Sequence, residues 1–179
     1  VVVAVGVNYH YVVDYMFSDE MVYYMMAQSL AEDGDLRYEQ KDLRRVYEEG
    51  WNAGPIGVFL NKTDEGAIYF SKYFIYSWAL APFLALFGFN GFMLFHVLLF
   101  FLCLTMGWLY LRQFNPSRLA FAAAMAFFLL SASVLYIFWL TPEIFNMFCV
   151  TCGLFLWLYQ GEGRRVRLRG QRIVSRRAA

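Results

Sequence analysis

Of 179 residues, 60% are apolar and only 16% are charged, against about 45–50% and about 25% in soluble domains, which excludes an ordinary water-soluble globule. Aromatic residues make up 21% of the chain, with 19 Phe, 13 Tyr and 5 Trp, more than one soluble core of this length buries but suited to lipid-facing and interfacial positions. The net charge of +1 hides two segregated regions of opposite sign and gives no reason to expect nucleic acid, and three cysteines, all in apolar runs, exclude a disulfide-built scaffold.

In chain order, Val1 to Val13 is apolar but shorter than the roughly 20 residues of a spanning helix. It reads as the outer end of a truncated first transmembrane helix (1–13). Residues 14–72 form a long polar loop with 12 Asp and Glu against 6 Lys and Arg. Within it, Ser18-Asp19-Glu20 opens a helix with Ser18 as N-cap, Val22, Met25, Met26, Ser29 and Leu30 along one stripe, and Gly34 as its end. Asp19 and Glu20 then occupy the first turn, where the helix dipole favours carboxylates. Trp51 to Asn61, with Gly54, Pro55 and Gly57, reads as loop, and Gly66 to Phe70 as a short extended piece.

Between Lys72 and Arg112 the chain carries no Asp, Glu, Lys or Arg. The turn signal Gly88-Phe89-Asn90-Gly91 divides this stretch. Residues 73–90 carry Pro82, which bends a helix, and either span or lie along the interface; they are taken as a juxtamembrane helix. Three spans follow: 91–111, then 119–140 after a turn at 112–118 holding Arg112 and Arg118, then 144–160 after a tight break at 141–143. Seven Arg crowd the tail, 161–179. The positive-inside rule puts the 112–118 turn and the tail in the cytoplasm and Glu143 outside. With 73–90 lying flat, the loop 14–72 is also outside. The expected fold is an all-α polytopic membrane helix bundle with a long extracytoplasmic first loop carrying short helices.

Few residues invite chemistry. The carboxylate pair Asp19 and Glu20 is either ordinary helix-start acidity or a general base or divalent-metal ligand, and spacing alone leaves both open. Lys72, at the edge of an apolar segment, either snorkels or neutralises a lipid phosphate. Glu143 is either a functional acid or a charge at a helix start capped by Thr141, with Pro142 at the first helical position. Cys149-Val150-Thr151-Cys152 lies in an apolar helix without a redox context and is read as packing. His96, within a span, is read as an interhelical hydrogen bonder.

The runs Ser18-Asp19-Glu20-Met21-Val22-Tyr23-Tyr24 and Ala27-Gln28-Ser29-Leu30-Ala31-Glu32-Asp33-Gly34-Asp35-Leu36 resemble the first outer loop of the membrane-embedded GT-C glycosyltransferases. The bacterial branch related to protein O-mannosyltransferases and aminoarabinose transferases is the most similar, with its "Asp-Glu-x-x-Tyr" element after the first transmembrane helix. The resemblance continues through Gly54-Pro55-Ile56-Gly57-Val58-Phe59-Leu60, Tyr69-Phe70-Ser71-Lys72-Tyr73, Ala81-Pro82-Phe83 and Leu86-Phe87-Gly88. It implies an inverting enzyme of the bacterial inner membrane that moves a sugar from a polyprenyl-phosphate donor to an extracytoplasmic hydroxyl acceptor. By the same resemblance, Asp19 takes the acceptor proton, with Glu20 beside it, Lys72 binds the donor phosphate, and Glu143 belongs to a second loop that relatives place beside the donor cavity, where it would bind the acceptor or a metal. A divalent cation held by Asp19 or Glu20 stays open, because Ser71 stands where some relatives carry a metal-ligating Glu. Tyr73 replaces a Pro that often follows the Lys. Relatives are several hundred residues long, so this chain reads as an N-terminal part that holds the catalytic loop and is not expected to be active alone. The rival reading is a non-enzymatic membrane protein, a transporter part or assembly subunit whose outer loop recognises lipid or a partner. A transporter more often places an ionisable residue at the bilayer midplane, and the three predicted spans carry no Asp, Glu, Lys or Arg.

Overall fold

The computed structural model describes residues 16–159; the expected helix end at 1–13 and the basic tail at 161–179 lie outside them. The described chain is mostly helical. It runs α1 (Asp19–Glu32), α2 (Gln40–Glu48), a hairpin of β1 (Leu60–Lys62) and β2 (Ile68–Phe70), α3 (Phe74–Phe87), α4 (Gly91–Leu111), α5 (Ser117–Leu129) and α6 (Glu143–Leu158), with 3-10 turns at Gly88–Asn90 and Ala132–Ile137.

The expected single stripe on α1 is a full wrap: every residue from Met21 to Ser29 is buried. The reason is that α1 has neighbours on several sides. Tyr23 meets Tyr76 of α3 edge-on at 5.2 Å, Ser77 donates to the Tyr23 carbonyl at 3.1 Å, and Tyr24 packs against Trp51 and Phe89. The polar groups this wrapping buries are satisfied: Tyr24 donates to Glu49 at 2.7 Å and Gln28 donates to both, as burial requires. Gly34, at φ +71°, ends the helix with its amide on the Ser29 carbonyl at 3.0 Å. Arg45 of α2, paired with Asp42 on its own helix, then ties the end of α1 down through Glu32 and Asp33.

Asn61 belongs to a strand rather than to a loop. β1 and β2 pair antiparallel with Leu60 opposite Phe70 and Lys62 opposite Ile68, because the bend at Gly66, φ +87°, lets the extended piece after it fold back on the residues before it. The hairpin is the one departure from an all-α chain among the described residues.

The 38 residues Phe74–Leu111 form the one described stretch long and apolar enough to cross a membrane, yet they fold back on themselves at Gly88. Tyr76 near the start of α3 lies against His96 of α4, and Phe83 against Phe95. A Cβ on Gly91 would stand 2.2 Å from the Phe83 carbonyl oxygen, so a side chain there would force the helices apart. His96, fully buried, behaves as the sequence predicts. Its Nδ1 lies 3.2 Å from the Ile137 carbonyl and its Nε2 2.7 Å from the Tyr76 hydroxyl. A carbonyl only accepts, so Nδ1 carries the proton and the Tyr76 hydroxyl donates to Nε2. One side chain thereby joins α3, α4 and the second 3-10 turn.

From Phe95 onward α4 packs against both α5 and α6. Trp108 meets Phe121 and Phe100 meets Phe128, so α5 runs antiparallel to α4; Phe95 meets Phe145, and α6 runs alongside α4. The 22-residue helix expected over 119–140 is shorter than that. It stops at Leu129, where the Ser131 hydroxyl bonds the Phe128 carbonyl at 2.8 Å and Ser133 bonds Ser131. Such hydroxyls compete with the helical ladder, and the chain continues as a 3-10 turn. α6 also starts differently: Pro142 holds the N-cap position and Thr141 makes no capping bond.

Gly91→Ala is expected to cost about 1–3 kcal/mol or more, the usual penalty of overpacking, because the added methyl meets backbone. Gly153, where a Cβ meets nothing within 4 Å, is the control. Gly153→Ala should instead raise stability by up to about 1 kcal/mol through helix propensity. Thermal unfolding of the two purified variants checks the contrast.

Candidate functional site

The strained residue Ser18 begins the site. Its φ of 48° is the one positive value on a non-glycine among the described residues, and such strain persists only where neighbours over-determine it. Here the neighbour is the segment after Gly54. The Ser18 amide donates to the Ile56 carbonyl at 2.9 Å, Phe17 and Ile56 form a parallel bridge, and Gly57, at φ +72°, lies so close that a Cβ would be 3.4 Å from the Ser18 Cα. Ser18 holds the N-cap position as expected, but without a cap bond; its hydroxyl lies 3.4 Å from Asp19 Oδ1.

The same segment places Lys72. The Ser71 amide donates to the Phe59 carbonyl at 3.1 Å, and the Lys72 ammonium lies 5.1 Å from the centre of the Phe59 ring. From there its Nζ reaches Asp19 Oδ1 at 2.7 Å. Two residues far apart in the chain, singled out separately from the sequence, thus form one ion pair.

That pair borders a cleft of about 350 Å³. Asp19 and Glu20 come to it from the start of α1, Glu143 from the start of α6, and Tyr136, Trp139 and Thr141 from the connection before α6. All four residues that the sequence marks therefore lie at one end of the bundle. Arg112 and Arg118 lie at the other, since α4 and α6 both run away from the cleft.

Each acid has a different setting. Asp19 is half-exposed beside its ammonium. Burial pushes the Glu20 carboxyl above its usual value of 4.5, while the amides of Phe17 and Leu140 bond it and pull the other way. Glu20 thus ties α1 to the turn that carries Trp139. Glu143 is exposed on the rim. Tyr23, one turn beyond Asp19, is nearly buried, and burial raises its hydroxyl above the ordinary phenol value, opposed by Lys72 and assisted by Asp19 and Glu143. It is a protonated donor at neutral pH. The Thr141 hydroxyl is buried without a partner.

The divalent cation left open by the sequence is not supported by this donor set. Among the described residues no three His, Cys, Asp or Glu side chains converge, Asp19 already faces an ammonium, and Glu20 is turned to backbone amides. The CxxC spacing leaves Cys149 and Cys152 as free thiols. Tyr136, Trp139 and Phe59 were not marked by the sequence. The two aromatics before α6 fall inside what reads as a continuous span, and Phe59 inside a loop. Tyr23 had a signal, the helical spacing to Asp19 and Glu20.

Comparison with known protein families, with curated proteins and with solved structures finds no match to this chain.

The raised Glu20 value has a consequence for stability. The folded chain holds this proton more tightly than the unfolded chain, so the group's contribution makes the fold less stable as pH rises from 4.5 through the raised value. Glu20→Gln keeps an acceptor for the amides and removes the titration. Its melting temperature, followed upward from pH 4.5, is expected to fall less or rise more than that of the parent; parallel curves would contradict the assignment.

Proposed function

We propose that the chain carries the catalytic end of a membrane glycosyltransferase, which moves a sugar from a polyprenyl-phosphate donor to a hydroxyl acceptor outside the cytoplasm. The observation that carries this reading is the Asp19–Lys72 contact at 2.7 Å. The base and the phosphate-binding cation that the resemblance implies have to act on the same few atoms, and they touch each other at the edge of a cleft that Asp19 lines with Glu20 and Glu143.

A membrane setting is supported by the surface of the helices. Phe127 is 71% exposed, Leu130 86%, Leu156 75% and Trp157 78%, an apolar surface of the kind that marks contact with lipid or protein. α4, at 21 residues, is about 31 Å long, close to the hydrocarbon thickness of about 30 Å. With the acidic cleft at one end of the bundle and Arg112 and Arg118 at the other, the charge asymmetry follows the positive-inside rule. The cleft then opens outside, at the level where a lipid phosphate sits.

The chemistry is a single displacement. Asp19 takes the proton of the acceptor hydroxyl, its oxygen bonds to the anomeric carbon, and the bond from that carbon to the phosphate oxygen breaks with its electron pair going to the phosphate. Attack from the face opposite the leaving group inverts the centre. Lys72 serves both ends. In the resting cleft it neutralises Asp19; as Asp19 loses its charge to the proton, the phosphate gains one, and the ammonium follows the charge. An interaction that strengthens toward the transition state raises the rate rather than only the affinity.

In the full-length protein, Asp19→Asn keeps the size and helix position but accepts no proton. Turnover is expected to fall by the roughly 10²–10⁴-fold of a lost general base, with donor binding near normal. Transfer within about threefold of the parent removes Asp19 from the mechanism. Lys72→Met keeps the apolar stem and is expected to weaken polyprenyl-phosphate binding by roughly 10- to 150-fold, the value of a charge-assisted contact. Titration with a donor analogue in the absence of acceptor checks it, and unchanged affinity would leave Lys72 as a snorkelling side chain.

A further inference from the structure

Together with Asp19, Glu20 and Glu143, two aromatic rings line the cleft. Tyr136 and Trp139 stack with their centroids 5.8 Å apart and their planes within 8° of parallel, and both line the cleft. Trp139 is the last aromatic before the helix that brings Glu143, and 51% of it is exposed. Tyr136 lies parallel to the indole and offset from it, supporting its edge. The bond from Glu20 to the Leu140 amide fixes the turn itself against α1. An indole held this rigidly loses little freedom on binding.

A sugar ring has a face of C–H groups and a rim of hydroxyls. The C–H face suits the electron-rich face of an indole, and the rim needs acceptors around it. Carboxylates stand on the other walls, with Glu143 exposed and the second oxygen of Asp19 available beside Lys72. The volume of about 350 Å³ lies at the small end of the roughly 300–1,000 Å³ of ligand sites and suits one ring rather than a chain of them. Asp19 and Glu143 present two carboxylates against the one ammonium of Lys72, with Glu20 behind them turned to backbone amides, so a ring bearing its own carboxylate would be repelled.

We infer that Trp139, held by Tyr136, is the platform on which the sugar of the donor stacks, and that the cleft takes a single sugar ring without an acidic group. The inference rests on the glycosyltransferase reading and adds to it the residue and the charge class that select the sugar. An interfacial Trp that only anchors the helix in lipid is the competing role, and it makes no distinction between a lipid with a sugar and one without.

The full-length protein in lipid nanodiscs separates these. It is titrated with polyprenyl phosphate and with polyprenyl phosphate carrying glucose, mannose, arabinose or glucuronate. The parent is expected to bind the bare lipid phosphate, to bind at least one neutral-sugar lipid more tightly, and to gain nothing from glucuronate. Trp139→Ala should lose roughly three- to twelvefold for the neutral-sugar lipid and change less than twofold for the bare lipid. Trp139→Phe, which keeps a ring, should recover most of the loss, with both variants melting like the parent. Equal losses for both lipids, or no loss for either, would overturn the platform while leaving phosphate binding in place. Tightest binding of the glucuronate lipid would overturn the charge class. A parent that binds none of the lipids removes the glycosyltransferase reading and the platform with it.

Discussion

The ion pair between Asp19 and Lys72 is the contact on which the site depends, and one short segment makes it. Residues 56–59 hold Ser18 by a backbone hydrogen bond on one side, and on the other bond Ser71 and present a ring to Lys72. Neither α1 nor the hairpin alone brings the two charges together. The segment carries Gly57 at a positive φ beside Ser18, a conformation that favours glycine, and Ser18 takes its own positive φ where this segment hydrogen-bonds its amide.

A resting pair of this kind has two chemical effects. It keeps a carboxylate and an ammonium at the end of an apolar bundle without leaving either charge uncompensated, which would be costly. Under the proposed glycosyl-transfer reading it would also make the two functions interdependent, because a donor phosphate that drew Lys72 toward itself would do so at the expense of its contact with Asp19. Tyr23, held protonated by burial and close enough to feel all three charges, supplies a neutral donor beside them.

Much of this was legible in the sequence where one physical signal dominated. Gly91 to Leu111, bounded by a turn signal and an Arg, is a helix with those same ends, and Asp19 and Glu20 do lie in a first turn. Legibility ended where tertiary packing or local hydrogen bonding overrode pattern. α1 shows one apolar stripe by period but is buried on all sides, since Tyr24 and Gln28 find Glu49 across the fold, a partner that periodicity does not reveal. Leu119 to Leu140 is apolar throughout, and hydropathy does not see the two hydroxyls at Ser131 and Ser133 that end α5 early. That early end matters for the site, because it frees residues 130–142 to turn under α1 and bring Tyr136 and Trp139 to the cleft. Of the residues argued here, the charged ones were visible as exceptions in an apolar chain, whereas the aromatic ones were hidden by their resemblance to everything around them.

The position of the cleft follows from the same division. α1 and α3 pack on each other and on the first turns of α4, and the remainder of α4 packs with α5 and α6. The boundary between these two layers is where α1, α3 and α6 all begin. Helix starts offer unpaired amides and a favourable dipole for negative charge, so the acids gather there, and Lys72, immediately before α3, is the cation that offsets them. Below that boundary, as far as Arg112 and Arg118, large exposed side chains such as Phe127, Leu156 and Trp157 are apolar, and above it α2 carries ion pairs to solvent. Under the proposed reading, a donor that is polar at one end and hydrocarbon at the other would meet both environments at this level, with its phosphate beside Lys72.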